Sequence, residues 1–320
     1  MGSFVQALPA SSLRNWRKRL RLRFSLDLSK FLQLKFNLFL LSVWPAWCTR
    51  AYIWTIARLY FFFKPGYVET IRHNVTRVLN GRSSDEVEKV VRDVLRGVIR
   101  HYQEKMFNGF LAMPKFRTLL SSNVVFDGYE RVLQDALKEG RGVIIASGHY
   151  GGLEFLPIYL AVRKYQTVTL AKFKTEKLKN IIVPRANGDG LDIVVPDNGT
   201  NVFREASKAL SENKIFVTQC DEVDAWRADR NLTMEFLGRE IHPDRMLNVL
   251  CKRTGAVLLF GVLQRESKGK YRLLLHRVPD QPNGEPSSVR ALKLLENYIY
   301  QYPEQWYEWK KYHKFGYYAA

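Results

Sequence analysis

The segment SGHYGGLE, Ser147 to Glu154, sets a histidine and a glutamate five positions apart around a pair of glycines. An imidazole and a carboxylate are the parts of a general base: the carboxylate accepts from one ring nitrogen and fixes the tautomer, and the other nitrogen takes a proton. The same carboxylate stabilises the imidazolium that results. On one continuous helix, at about 100° per residue, five positions would turn the two side chains about 140° apart. His149 and Glu154 can therefore meet only if His149 precedes a helix and Glu154 lies in its first turn. Gly151 and Gly152 suit that junction, because glycine permits a sharp turn and leaves N–H groups at the helix start open to a substrate. Ser147 stands two residues before the histidine and need not face it, so the pattern is triad logic without the serine. The chemistry expected is attack by an acceptor hydroxyl on an activated acyl group, with no covalent enzyme intermediate. A bare His-x4-Glu also arises by chance, and the competing reading is a structural histidine on an apolar edge.

The elements around the segment favour chemistry. VIIAS, between Gly142 and Gly148, is an apolar run of the kind buried on both faces of a sheet. His149 then stands at a strand's carboxyl end, the edge at which open α/β sheets bind ligands. From about residue 123 short β-rich runs alternate with helical stretches: NVVF, a helix carrying Tyr129 to Leu137, GVIIAS, a helix from about Leu153 to Val162, TVTLA, a polar helix, LDIVV, a helix from Val202 to Leu210, and KIFVTQ. This alternation predicts an α/β fold, a mostly parallel sheet flanked by helices. AVLLFGVL and YRLLLHRV, joined by QRESKGK, predict a hairpin at the sheet's later edge. Residues 64–120 read as helices. Ser83 and Glu86 form a capping box, and Val87, Val90, Val91, Val94, Leu95, Val98, Ile99 and Tyr102 follow at helical spacing as a core-facing stripe.

Length and charge bound the partners. At 320 residues the chain can bury a full core, and a formal charge of +19 should attract anions: nucleic acid, acidic lipid or an acidic carrier protein. Three cysteines, Cys48, Cys220 and Cys251, without C-x-x-C spacing argue against a disulfide frame or a zinc site, and neither metal nor cofactor is expected. Residues 1–63 read as a basic arm and an apolar membrane-associating segment ahead of an α/β domain over 64–320. Arg14 to Arg23 holds six basic residues in ten, and the longest uncharged run, Phe36 to Thr49, is 14 residues and contains Pro45. That is short of the ~20 apolar residues of a spanning helix. A Trp- and Phe-rich block flanked by arginines suits the headgroup boundary of an anionic membrane; the alternative is a buried amphipathic hairpin with a solvated basic arm. The sequons at Asn74, Asn198 and Asn231 read as chance occurrences in a chain facing the cytoplasm.

SGHYGGLE resembles the first block of the lysophospholipid acyltransferase superfamily, and its glutamate form is similar to the bacterial lipid A lauroyl and myristoyl acyltransferases. RHNVTRVLNG, VPRANG, TQCDEVD, MEFLGRE, KRTGAVLLFGVLQRESKGKYRLLL and PEQWYEWKKYHKF agree with that family in order, over roughly residues 35–315. The resemblance implies His149 as general base and Glu154 as its orienter. It implies that Arg185 contacts phosphate or stabilises an oxyanion, the bland reading being a solvated loop arginine. Asp221, also at a strand's carboxyl edge, would hold either Arg185 or the acceptor. Arg239 would bind a lipid phosphate or cap a turn. Departures are Asp221-Glu222-Val223-Asp224 where the family has Asp-Gln-Asp, and MEFLG in place of a more aromatic form. The partners implied are an acyl carrier protein or coenzyme A thioester and a glycolipid acceptor, at the cytoplasmic face of a bacterial inner membrane. Alternatives are an acyltransferase acting on another lipid, such as a lysophospholipid or amino-acid lipid, and a non-enzymatic basic protein binding membrane or nucleic acid. The chain carries no nucleic-acid module, so nucleic acid is not expected as a partner.

Overall fold

The computed structural model describes residues 28–173, 175–196, 199–279 and 284–318. The basic arm from Arg14 to Phe24 and the sequon at Asn198 lie outside them. Three helices lead in: α1 (Leu28–Leu32), α2 (Lys35–Val43) and α3 (Ala46–Phe63). Pro45 pre-sets the start of α3, which turns Thr49, Ile53, Ala57 and Phe61 inward. That four-residue repeat makes one stripe, packed with Val98, Ile99 and Met106. Next come α4 (Pro65–Val78), α5 (Ser84–Phe110) and α6 (Met113–Asn123). The capping box forms as the sequence predicts, with Ser83 accepting from Glu86 N and Glu86 accepting from Ser83 N. Among the described residues no helix is long and apolar enough to cross a membrane.

The remaining elements alternate: β1 (Val124–Val125), α7 (Glu130–Lys138), β2 (Val143–Ser147), α8 (Leu156–Val162), β3 (Thr167–Leu170), α9 (Glu176–Asn187), β4 (Leu191–Val194), α10 (Val202–Ser211), β5 (Ile215–Gln219), β6 (Met234–Phe236), β7 (Arg239–Ile241), α11 (Met246–Thr254), β8 (Val257–Arg265), β9 (Tyr271–Arg277) and α12 (Ser287–Gln301). Seven strands form a mostly parallel sheet in the order β1-β9-β8-β2-β5-β3-β4, and β6 and β7 make a separate ribbon. Period-two alternation sends the side chains of the central strands into two core layers. Ile144, Ala146, Phe216, Leu258 and Phe260 enter one, while Val143, Ile145, Ile215, Val217 and Leu259 enter the other. The second layer is closed by apolar residues of α6, α7 and α8, such as Phe116, Leu133 and Leu156. The first is closed by α10, α11, α12 and a C-terminal tail that buries Trp306, Trp309, Tyr312 and Phe315.

Two expectations needed correction. β8 and β9 do form an antiparallel hairpin, but it is not the sheet's edge, because Val124 and Val125 pair parallel with Tyr271 and Arg272 outside it. NVVF reads as a strand, but nothing local says that it pairs with the outer side of β9. The helix expected from Leu153 is a 3-10 turn, Leu153–Phe155, followed by α8; Pro157 has no N–H and sits in the first turn of a new helix, where that donor is not needed.

Candidate active site

β2 and β5 are adjacent, parallel and in register, with Ser147 opposite Gln219. Two residues beyond that pair, His149 therefore stands opposite Asp221. His149 N donates to Asp221 Oδ1 and Oδ2, each at 3.0 Å, and His149 Nδ1 lies 2.9 Å from Asp221 Oδ1. Trp306 Nε1 donates to Asp221 Oδ2 at 2.8 Å, so both carboxylate oxygens are held. Asp221 is 1 % exposed. His149 Nε2 faces Glu222 Oε2 at 3.4 Å, and Glu222 is partly open to solvent. With Nδ1–H on the buried carboxylate, Nε2 is the nitrogen left to take a proton.

Burial alone would lower the His149 pKa, but the Asp221 charge, the hydrogen bonds that His149 makes to Asp221 and Glu222 and the charge of Glu308 raise it well above the ordinary imidazole value. Burial pushes the Asp221 carboxyl up, and the His149 charge and the bonds from His149 and Trp306 outweigh it, leaving Asp221 below the usual carboxylate value. Glu222 is also lowered, with burial opposing and the His149 bond and the charges of His149 and Lys311 prevailing.

Glu154 is placed elsewhere. Its Oε1 lies 3.8 Å from His101 Nε2 on α5, and its backbone carbonyl accepts from Asn108. Between the two histidines stands Tyr307, stacked on His101 with centroids 4.0 Å apart and edge-on to His149 at 5.5 Å. Its N–H donates to His149 O at 3.1 Å. Burial, then the Glu154 carboxylate, raises the Tyr307 pKa well above its usual value. Burial, then the cations Lys105 and Arg265, hold His101 well below its own. The carboxylate on His149 is thus Asp221, where the sequence spacing had pointed to Glu154. The 3-10 turn carries Glu154 toward α5 before the α8 helix begins.

The two glycines also act differently from expectation. Gly151 N donates to Gln305 O at 2.9 Å and Gly152 N to Leu263 O at 2.7 Å, so neither N–H is left for a substrate. A Cβ on Gly151 would stand 2.1 Å from Leu263 O, and Gly151 has φ +58°. Close backbone approach to β8 is what requires glycine there. Arg185, in the last turn of α9, is half-buried; its Nη2 reaches Phe107 O at 3.5 Å and its guanidinium lies over the Phe116 ring. Burial lowers its pKa. Asp221 is not its partner, as one expectation had it. Arg239, on β7, lies over the Tyr312 ring at 4.5 Å, and its Nε is buried without a hydrogen bond. The structure thus brings together His149 and Asp221 of the predicted set, lines the turn with Gly151, Gly152 and Glu154, and leaves Arg185 and Arg239 on other contacts.

Glu222, Trp306, Tyr307 and His101 escaped sequence reasoning. Glu222 follows Asp221 directly, and equal offsets past VIIAS and IFVTQ bring His149 level with Asp221 only once the two strands are known to be neighbours. Among the described residues no serine or cysteine side chain is hydrogen-bonded to His149. Ser147 is buried and donates to Gly148 O, and burial, then the Asp221 charge, push the Cys220 thiol well up. Among the described residues no group of three or more His, Cys, Asp or Glu is arranged to hold a metal ion. A base without a protein nucleophile fits direct transfer to an external hydroxyl. No curated protein sequence matches the chain. The sequence profile of the family described as bacterial lipid A biosynthesis acyltransferase matches residues 25–314, nearly the whole chain, so the chain belongs to that family and is an acyltransferase.

Proposed function

We propose that the protein moves a fatty acyl chain from an acyl thioester, carried by acyl carrier protein or coenzyme A, to a hydroxyl of a lipid A precursor, with His149 as general base. The observation that carries this reading is His149 Nδ1 on Asp221 at the carboxyl rim of the sheet, with Nε2 facing a partly exposed carboxylate and not a nucleophile. The acceptor hydroxyl takes the place of Glu222 at Nε2 and gives it a proton as its oxygen attacks the thioester carbonyl. The C–O bond forms, the tetrahedral intermediate collapses with cleavage of the C–S bond, and the departing thiolate recovers the proton from Nε2. Asp221 holds the tautomer and the positive charge throughout and stays ionised. Glu154, across Tyr307, acts on the far wall of the site rather than as the orienter of His149. Arg185 remains a charged donor toward an acidic group of the substrate.

The same reading places the protein at the cytoplasmic face of a bacterial inner membrane. Support comes from the outer surface of α2 and α3, where Phe36, Phe39, Trp47, Trp54 and Phe62 are all at least 45 % exposed. Trp47, Trp54 and Phe62 lie seven and eight residues apart on the exposed side of α3, beside its buried stripe, and Arg58 lies over Trp54. An aromatic face with arginines at its side suits the headgroup boundary. The test is mass spectrometry of lipids made by purified protein offered both thioesters and candidate acceptors. Product should form from an acyl thioester and disappear in His149→Ala; undiminished turnover in that variant would reject the role of His149.

A further inference from the structure

A recess lies along α5, apart from His149. It is a cleft of about 480 Å³ between one face of α5 and residues 301–305, and neither His149 nor Asp221 lines it. Lys89, Asp93, Arg96 and Arg100 fall on that face at helical spacing, with Arg82 just ahead of the helix. Three acids share the cleft, and each is occupied or weakened. Glu86 is taken by the capping box with Ser83, and Asp93 by Arg96. Burial, then the nearby Asp93, push the Glu304 carboxyl up. Arg82, Lys89 and Arg100 make no ion pair among the described residues, and all three are exposed.

The floor supplies a second observation. Arg265 is buried, and its Nε and Nη2 donate to Glu104 at 2.7 and 2.8 Å. Its Nη1 is buried with no acceptor and lies 3.8 Å from where a Cβ on Gly97 would stand; both residues line the cleft. A buried guanidinium N–H without an acceptor is costly. Gly97 is also where the tail crosses α5, since a Cβ would lie 2.1 Å from Glu304 O.

We propose that this cleft is a non-catalytic site for a phosphate-bearing polar group. A phosphomonoester brings close to two negative charges and several acceptor oxygens, which matches three exposed, unpaired cations above a buried guanidinium better than a single carboxylate does. The volume exceeds a phosphate alone and leaves room for the sugar or glycerol that carries it. The lining is polar apart from Val90 and Pro303, so it does not suit a hydrocarbon chain. Gln305 ties the site to the catalytic loop, holding Arg265 N through its side chain and Gly151 N through its carbonyl. The source of the phosphate is a lipid headgroup or a soluble phosphate ester.

Calorimetric titration of the full chain in low-salt chloride buffer tests this, with inorganic phosphate, glucose 1-phosphate and dihexanoyl phosphatidic acid as probes. Saturable binding of one equivalent is expected. It should weaken about tenfold or more in Lys89→Ser/Arg100→Ser and hold in Arg204→Ser/Lys208→Ser, which removes the same charge from α10. Tighter binding of the lipid probe than of the sugar phosphate identifies a headgroup site; the reverse identifies a soluble ester. His149→Ala should bind as the unaltered protein does, so loss of transfer and loss of phosphate binding are separable. Absence of saturable binding by all three probes, or equal weakening in the α10 pair, overturns the proposal.

Discussion

Asp221→Asn isolates the interaction on which the proposed mechanism rests. The substitution keeps the shape and removes the charge 2.9 Å from His149 Nδ1. Two unit charges at that separation attract by about 6 kcal/mol at an effective dielectric of about 20, opposed by the burial of both groups. Two consequences follow. The amide can present N–H₂ to Nδ1, forcing the ring proton onto Nε2, the nitrogen that must accept. Replacing the carboxylate of a Ser-His-Asp triad by its amide costs about 10⁴ in kcat, and a loss of about 10³ to 10⁴, or about 4–5.5 kcal/mol in the barrier, is expected here. The second consequence is in pH. The neutral imidazole is the base, so transfer by the unaltered protein rises with pH through a midpoint above the ordinary histidine value, because the folded-state pKa is raised. Without Asp221 that midpoint moves to lower pH while the plateau falls.

Stability supplies the cross-check. The raised His149 contributes stability fully present below about pH 6.5 and lost as pH climbs through its folded value, and the lowered Asp221 contributes stability present above about pH 3.9 and lost on acidification. The stability gap between the two proteins should therefore be widest between about pH 4 and 6.5. The assay is initial-rate acyl transfer over pH 5–9 with melting curves on the same samples. A rate within threefold of the unaltered protein, together with a collapse in Glu154→Gln, would refute the reasoning and return the orienting role to Glu154.

Trp306→Phe removes one hydrogen bond to a buried carboxylate; about 1.5–3 kcal/mol of stability should be lost, read by urea unfolding, with a smaller rate loss than for Asp221→Asn because His149 keeps its partner. Glu104→Gln strips the charge from a buried pair that binds Arg265 at two points, and about 3–5 kcal/mol should be lost in the same measurement at unchanged pH. Trp47→Ser/Trp54→Ser/Phe62→Ser should leave the melting temperature within a few degrees, since these side chains are exposed, while binding to vesicles containing anionic lipid falls severalfold in a flotation assay. Equal binding would remove the basis for an interfacial face.

What the sequence made legible, and what it hid, follows from which interactions are local. The α5 helix was plain because its cap and its apolar stripe are encoded in one unbroken stretch of sequence, Ser83 to Tyr102. VIIAS and IFVTQ were legible as strands, and so were the ends at which His149 and Asp221 sit. Their adjacency was not, because β3, β4 and three helices intervene in the chain and no residue type marks β5 as the neighbour of β2. Spacing therefore favoured Glu154, the carboxylate nearest in sequence, over Asp221, 72 residues away. The glycines show the same limit from the other side. Their backbone freedom was evident from type alone, but its use, letting the loop touch Leu263 and Gln305, depends on strands and a tail more than a hundred residues downstream. Trp306 was invisible for that reason too: an indole in an aromatic tail reads as core, and only the tertiary path that brings it to the end of β5 turns it into a donor to Asp221. The position of the base could be inferred locally, and its electrostatics could not, since every group that sets the His149 charge state arrives from β5 or the tail. That division makes Asp221→Asn and Trp306→Phe, rather than changes near His149 in sequence, the substitutions that test how the site is built.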